Sequence, residues 1–79
     1  MARHTYNGHP SYNYWNVALW FGSDEGLYRL ALTCIREART RREAAAMMLD
    51  ALAEAGQRAT PDGAPYTRAN IEHAMRGLT

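Results

Sequence analysis

A capping box, Thr40-Arg41-Arg42-Glu43, opens an alanine-rich run that stops at Gly56, and these two signals constrain the chain more than any other feature. In a capping box the Thr hydroxyl and the Glu carboxylate satisfy backbone N–H groups that a helix start leaves without partners. Alanine has the highest helix propensity, and a glycine just past the last turn readily takes the left-handed conformation that ends a helix. Ala45, Met48, Leu49 and Leu52 recur at helical spacing and are expected to face inward. The same punctuation recurs along the chain. Ser11 stands where an N-cap belongs ahead of Tyr12 to Phe21, and Gly22-Ser23-Asp24 breaks that segment. Ser23 or Asp24 then caps a second helix, whose apolar stripe is Leu27, Leu30, Ala31, Cys34, Ile35 and Ala38. Asp24 and Glu25 at its start, and Arg36 and Arg39 in its last turn, suit the helix dipole. Pro61-Asp62-Gly63 and Pro65 supply turn chemistry between Gln57 and Tyr66. Thr67 caps a last short helix with Ile71, Ala74, Met75 and Leu78 on its apolar face. The expected fold is all-α: a compact bundle of about four short helices. Residues 1–79 form one domain, with residues 1–10 as an irregular arm containing an Asn7-Gly8 turn and an extended residue before Pro10.

Seventy-nine residues leave room for one core. A domain this short buries only about 60% of its unfolded surface, so most apolar residues must serve packing. Little is left to line a ligand pocket, which takes roughly 300–1,000 Å³. Nine basic and eight acidic residues give a formal charge of +1. That balance argues against bulk electrostatic attraction to nucleic acid, and equally against an acidic mimic of DNA. Every basic residue is arginine, the side chain suited to bidentate pairing with carboxylate or phosphate. Cys34 is the lone cysteine, so no disulfide framework exists and a reducing cytoplasm is expected. Residues 1–10 lack an apolar signal region, and no stretch approaches the roughly 20 apolar residues of a membrane span.

Catalysis finds no candidate, and the chain is expected not to be an enzyme. His4, His9 and His73 with Cys34 match no metal-ligand spacing, so neither metal nor cofactor is expected. Cys34 falls on a buried stripe, where a free cysteine acts as a small hydrophobe rather than a reactive thiolate. Trp15, Trp20 and Phe21 read as the core against which the other helices pack, so Trp20→Ala is expected to unfold the domain. A short helix that is apolar on nearly all sides is hard to cover, however. Some of Tyr6, Tyr12, Tyr14 and Tyr28 should therefore stay partly exposed, and tyrosine is a frequent interface anchor. Arg36, Arg39, Arg41 and Arg42 put four arginines within seven residues. They read either as a solvated helix corner with Glu37 and Glu43 as partners, or as a basic patch for acidic side chains or phosphate. The Arg39-Thr40 junction approaches a helix-turn-helix spacing, but the helix after it is mostly Ala, Met and Leu and offers few groups to base edges.

The run Tyr6-Asn7-Gly8-His9-Pro10-Ser11-Tyr12-Asn13-Tyr14-Trp15-Asn16-Val17-Ala18-Leu19-Trp20, followed by Asp24-Glu25-Gly26-Leu27-Tyr28, is distinctive. It resembles the start of a family of very small phage and prophage proteins, roughly Y-N-G-W-[TS]-N-x-x-T-W-N-V-A-L-W and then N-D-E-G-x-Y. The likeness covers about the first thirty residues. Here His9-Pro10 replaces the usual Trp-Thr/Ser, which removes an aromatic from the arm. Tyr12-Asn13-Tyr14 also lacks the acidic residue of a capping box, a loss of about 1 kcal/mol or less. The resemblance implies a compact helical protein of a mobile element. It extends to an anti-CRISPR protein that inhibits a type I-C surveillance complex. It therefore implies a monomer in the cytosol of a bacterial host that binds protein subunits of a type I CRISPR surveillance complex and blocks target DNA. No membrane and no direct nucleic-acid contact enter that expectation. Arg36, Arg39, Arg41 and Arg42 would meet acidic side chains, and Tyr12 and Tyr28 would supply apolar contact. The alternative is a small nucleic-acid-binding accessory protein of a mobile element, whose affinity would fall steeply with salt.

Overall fold

The computed structural model describes His9 and residues 11–78. The arm expected over residues 1–10, with its Asn7-Gly8 turn, His4 and Tyr6, lies outside the described residues except for His9. Four helices follow in order: α1 (Tyr12–Ser23), α2 (Glu25–Glu37), α3 (Arg41–Glu54) and α4 (Arg68–Arg76). Among the described residues there is no strand, only bridge pairing such as that between Ala59 and Pro65, so the fold is all-α.

Three helix starts are closed by the hydroxyls that the sequence places there. Ser11 Oγ accepts the Tyr14 N–H at 3.3 Å, Thr40 Oγ1 the Glu43 N–H at 3.0 Å, and Thr67 Oγ1 the Asn70 N–H at 3.1 Å. Glu43 Oε1 reaches one residue ahead of the cap, accepting the Arg39 N–H at 2.8 Å. The second start differs. Asp24 holds the N-cap position of α2 by its extended backbone and makes no side-chain capping bond. Ser23 ends α1 instead, its hydroxyl donating to the Leu19 carbonyl. The break between α1 and α2 thus contracts to one residue: the Asp24 N–H closes α1 on the Trp20 carbonyl, and its carbonyl accepts the Tyr28 N–H, each at 2.9 Å.

Two further ends are worked out differently from each other. α2 stops at Glu37 with Ala38 as its C-cap, so Arg36 lies in the last turn but Arg39 lies in the linker beyond. Gly56 ends α3 at φ +79°, with the Gly56 N–H on the Ala53 carbonyl at 3.0 Å and the Gln57 N–H on the Leu52 carbonyl at 2.8 Å. That pair of bonds is the Schellman arrangement, which needs the left-handed residue glycine supplies. The chain then folds back at Thr60-Pro61-Asp62-Gly63, where the Gly63 N–H reaches the Thr60 carbonyl at 2.9 Å. Gly63 sits at φ +95°, and the Thr60 N–H pairs with the Ala64 carbonyl at 2.8 Å. A proline-led turn followed by a left-handed glycine is a common way to close a short hairpin. The Gln57–Tyr66 interval is therefore a small hairpin, pinned at its base by the Tyr66 N–H on the Arg58 carbonyl at 2.9 Å.

The helices pack in a ring, α1 against α2 and α4, and α3 against the same two. Val17 and Phe21 of α1 point inward to Ala31 and Cys34 of α2, Ala44, Ala45, Met48 and Leu52 of α3, and Ile71, Ala74 and Met75 of α4. Ala64 and Tyr66 bring the hairpin into the same core, with the Tyr66 ring tilted against Phe21 at 6.2 Å. Leu49 is only half-buried beside it. Of the three aromatics expected in the core, only Phe21 is fully buried; Trp15 and Trp20 are half-exposed. Adjacent helix positions are separated by about 100° of arc, so a helix that buries Val17 and Phe21 at i, i+4 turns Trp20 towards its flank.

Candidate interaction surface

Trp20 is held at that flank by a polar network. Its Nε1–H donates to Asp62 Oδ2 at 3.0 Å, and Asn16 Nδ2, one turn earlier, donates to the same oxygen at 3.0 Å. Asn16 Oδ1 accepts the Thr60 hydroxyl at 2.5 Å, and Thr60 Oγ1 accepts the Ala64 N–H at 3.1 Å. Asn16 and Thr60 are buried, and Asn70 adds a bond from Nδ2 to the Pro65 carbonyl at 2.8 Å. The hydrogen bonds from Asn16, and then from Trp20, hold the Asp62 carboxyl below the usual carboxylate range. Asn16 and Trp20 of the distinctive run thus fasten α1 to the hairpin. Their role is structural.

The four arginines singled out by spacing come to one corner. Arg36 lies in the last turn of α2, Arg39 in the linker, and Arg41 and Arg42 open α3; all four are exposed. Glu43, a candidate partner, spends a carboxylate oxygen on the Arg39 backbone. Ion pairs form elsewhere: Arg29 with Glu25, Arg68 with Glu72 at 3.2 Å, and Arg76 with Glu72 at 3.8 Å. Among the described residues no ion pair joins Arg36, Arg39 or Arg42 to a carboxylate. Arg41 and Arg42 also put positive charge at the positive end of the α3 dipole, where it is unfavourable. Helix stability therefore does not account for their placement.

Apolar exposure is concentrated in three side chains, Tyr12 at 37%, Leu19 at 44% and Tyr28 at 39%. Tyr12, Trp15 and Leu19 follow one another at three- and four-residue spacing along one side of α1, with the Tyr12 and Trp15 rings 5.7 Å apart. Tyr28 lies on α2, so the two tyrosines expected at an interface sit on different helices. Leu19 joins this surface, on the helix whose apolar groups lie on nearly all sides. Tyr14 is only half-exposed, because its ring stacks on His73 at 4.7 Å and 25°.

A hollow of about 290 Å³ opens beside that stack, lined by Tyr14, Arg68, Ala69, Glu72, His73 and Arg76. Glu72 lies between the two arginines and pairs with both. His73 is pushed below the usual imidazole range, by burial first and then by His9 and Arg76. His9 Nδ1 lies 2.7 Å from His73 Nε2. Nothing in the sequence signals this contact between residues 64 positions apart. Among the described residues no group of three or more His, Cys, Asp or Glu side chains converges on a point where an ion could sit. Cys34 is buried, and burial, reinforced by Glu37, raises its thiol, which is then protonated rather than nucleophilic. Among the described residues no helix is long and apolar enough to cross a membrane.

No curated protein and no solved structure matches the chain. Residues 2–79 do match a family of unknown function, DUF7249, and the chain belongs to that family.

Proposed function

We propose that this chain is a phage-derived anti-CRISPR protein that binds protein subunits of a type I surveillance complex, subtype I-C being the one the resemblance implies, and keeps target DNA from binding. The observation that carries the reading is the arginine corner. Arg36, Arg39 and Arg42 are exposed and, among the described residues, pair with no carboxylate, and with Arg41 they present planar donors that match acidic side chains bidentately. Exposed Tyr12, Leu19 and Tyr28 add the kind of apolar area that anchors protein interfaces. The resemblance of residues 6–28 supplies the partner class. Steric occlusion is the mechanism that asks least of so small a chain: a bound monomer in the bacterial cytosol fills the path of the DNA, without a cofactor and without chemistry.

The test is a pull-down with purified type I-C complex, followed by target-duplex binding at saturating protein. The expected result is co-elution and loss of DNA binding. Undiminished DNA binding by a complex that carries the protein would rule occlusion out. Gel shifts of the protein alone on duplex and single-stranded DNA at low salt separate this reading from a nucleic-acid-binding accessory role, whose affinity would fall steeply with salt.

A further inference from the structure

His9, ahead of α1, meets His73 of α4 imidazole to imidazole. His9 Nδ1 and His73 Nε2 are 2.7 Å apart, with ring centroids at 5.0 Å and planes at 74°. At that separation one nitrogen must carry a hydrogen and the other must present its lone pair. The His73 ring is held on another side by the stacked Tyr14 ring at 4.7 Å, so its freedom to turn away is small. The groups around it come from three elements: His9 from the preceding segment, Tyr14 from α1, and Arg68, Glu72 and Arg76 from α4. No residue of α2 or α3 lines this hollow. The Glu72 carboxylate is engaged by both arginines.

Counting protons gives the consequence. With both rings neutral, one N–H donates to one lone pair. With one extra proton, the charged ring still donates to the neutral one, and that bond is stronger for its charge. With two, N–H faces N–H and two cations stand in contact beside Arg76. We propose that the His9–His73 contact is a pH-sensitive clasp, closed while the pair carries at most one extra proton and open once both rings are charged. Burial, His9 and Arg76 all oppose charge on His73, so it takes up its proton below the usual imidazole range. A folded value below the unfolded one means that the clasp's contribution is complete above about pH 6.5 and is lost as pH falls through the lowered value. Opening separates His9 from α4 and uncovers His73 at the hollow, while the core, which contains no histidine, stays packed.

The experiment uses the full chain: ring-to-ring NOEs and imidazole shifts between about pH 8 and pH 5, with helix content followed by circular dichroism. The expected result is a His9–His73 NOE that is present at the upper pH and lost at the lower, with helix content unchanged. His73→Gln, whose amide hydrogen-bonds without titrating, should keep His9 in place at both ends. His9→Ala should raise the titration midpoint of His73. The proposal is overturned by a wild-type NOE that survives at the lower pH or is absent at the upper, or by helix loss in step with it. An unchanged His73 midpoint in His9→Ala also overturns it, and that arm decides the matter if His73→Gln fails to fold.

Discussion

Asn16→Ala tests whether the α1–hairpin network holds the fold together. Asn16 is 1% exposed, and its Oδ1 is the acceptor for the Thr60 hydroxyl, which is itself 4% exposed. Truncation removes that hydrogen bond, worth about 1 kcal/mol, and leaves the hydroxyl hydrogen without an acceptor, a further cost of about 1–3 kcal/mol. Thr60 Oγ1 also accepts the Ala64 N–H, so the side chain cannot swing to water without losing a second bond. The expected loss is about 2–4 kcal/mol. A domain of 79 residues has roughly 4–12 kcal/mol in all, so the variant stands near the edge of stability. Urea unfolding followed by tryptophan fluorescence and circular dichroism should show a midpoint lower by about 0.7 M or more, given a slope of about 1–3 kcal/mol per M. Adding Thr60→Val removes the orphaned donor, so the double variant should lose less than the sum of the singles by about 1 kcal/mol. A loss under about 0.5 kcal/mol, or strict additivity, would refute the reasoning.

Phe21→Ala should cost about 3–5 kcal/mol, whereas Leu19→Ala on the exposed side of α1 should change stability by less than about 0.5 kcal/mol, both read from urea midpoints. Gly56→Ala should cost about 1–2 kcal/mol in thermal melts, because φ is +79° and the added methyl meets nothing within 4 Å, so the whole effect is backbone strain. Asp62 titrates below its ordinary 3.8 because Asn16 and then Trp20 hydrogen-bond its charged form. Its contribution is therefore present above about pH 3.8 and lost as pH falls through the lower folded value; Asp62→Asn should flatten that part of the acid-unfolding profile.

The helices were legible because their ends are local events. Ser11, Thr40 and Thr67 reach N–H groups three residues away, and Gly56 carries its own conformational signal. The second start was less well defined, since Ser23 and Asp24 both suit a cap and only tertiary packing decides that α1 continues through Ser23. Trp20 was misplaced for a related reason. Its area suggested a core residue, and Trp20→Ala was expected to unfold the domain, but a partner 42 positions away, Asp62, holds it at the flank. The spacing of Asn16 and Trp20 gave no hint that both address one carboxylate. The arginine corner was visible as a run of residues, while the lack of carboxylate partners for Arg36, Arg39 and Arg42 among the described residues depends on where Glu37 and Glu43 point. Tyr14 is partly exposed as its place on a crowded helix suggests, but the stacking of its ring on His73 of α4 carries no local signal.

The proposed function makes the arginine corner a docking surface for an acidic protein partner. It is tested most directly by the affinity of purified type I-C complex for the wild-type chain and for Arg39→Glu with Arg42→Glu. The double variant should lose about tenfold or more in affinity, about 1.4 kcal/mol, with helix content unchanged. Equal affinity of the two chains for the complex would contradict it.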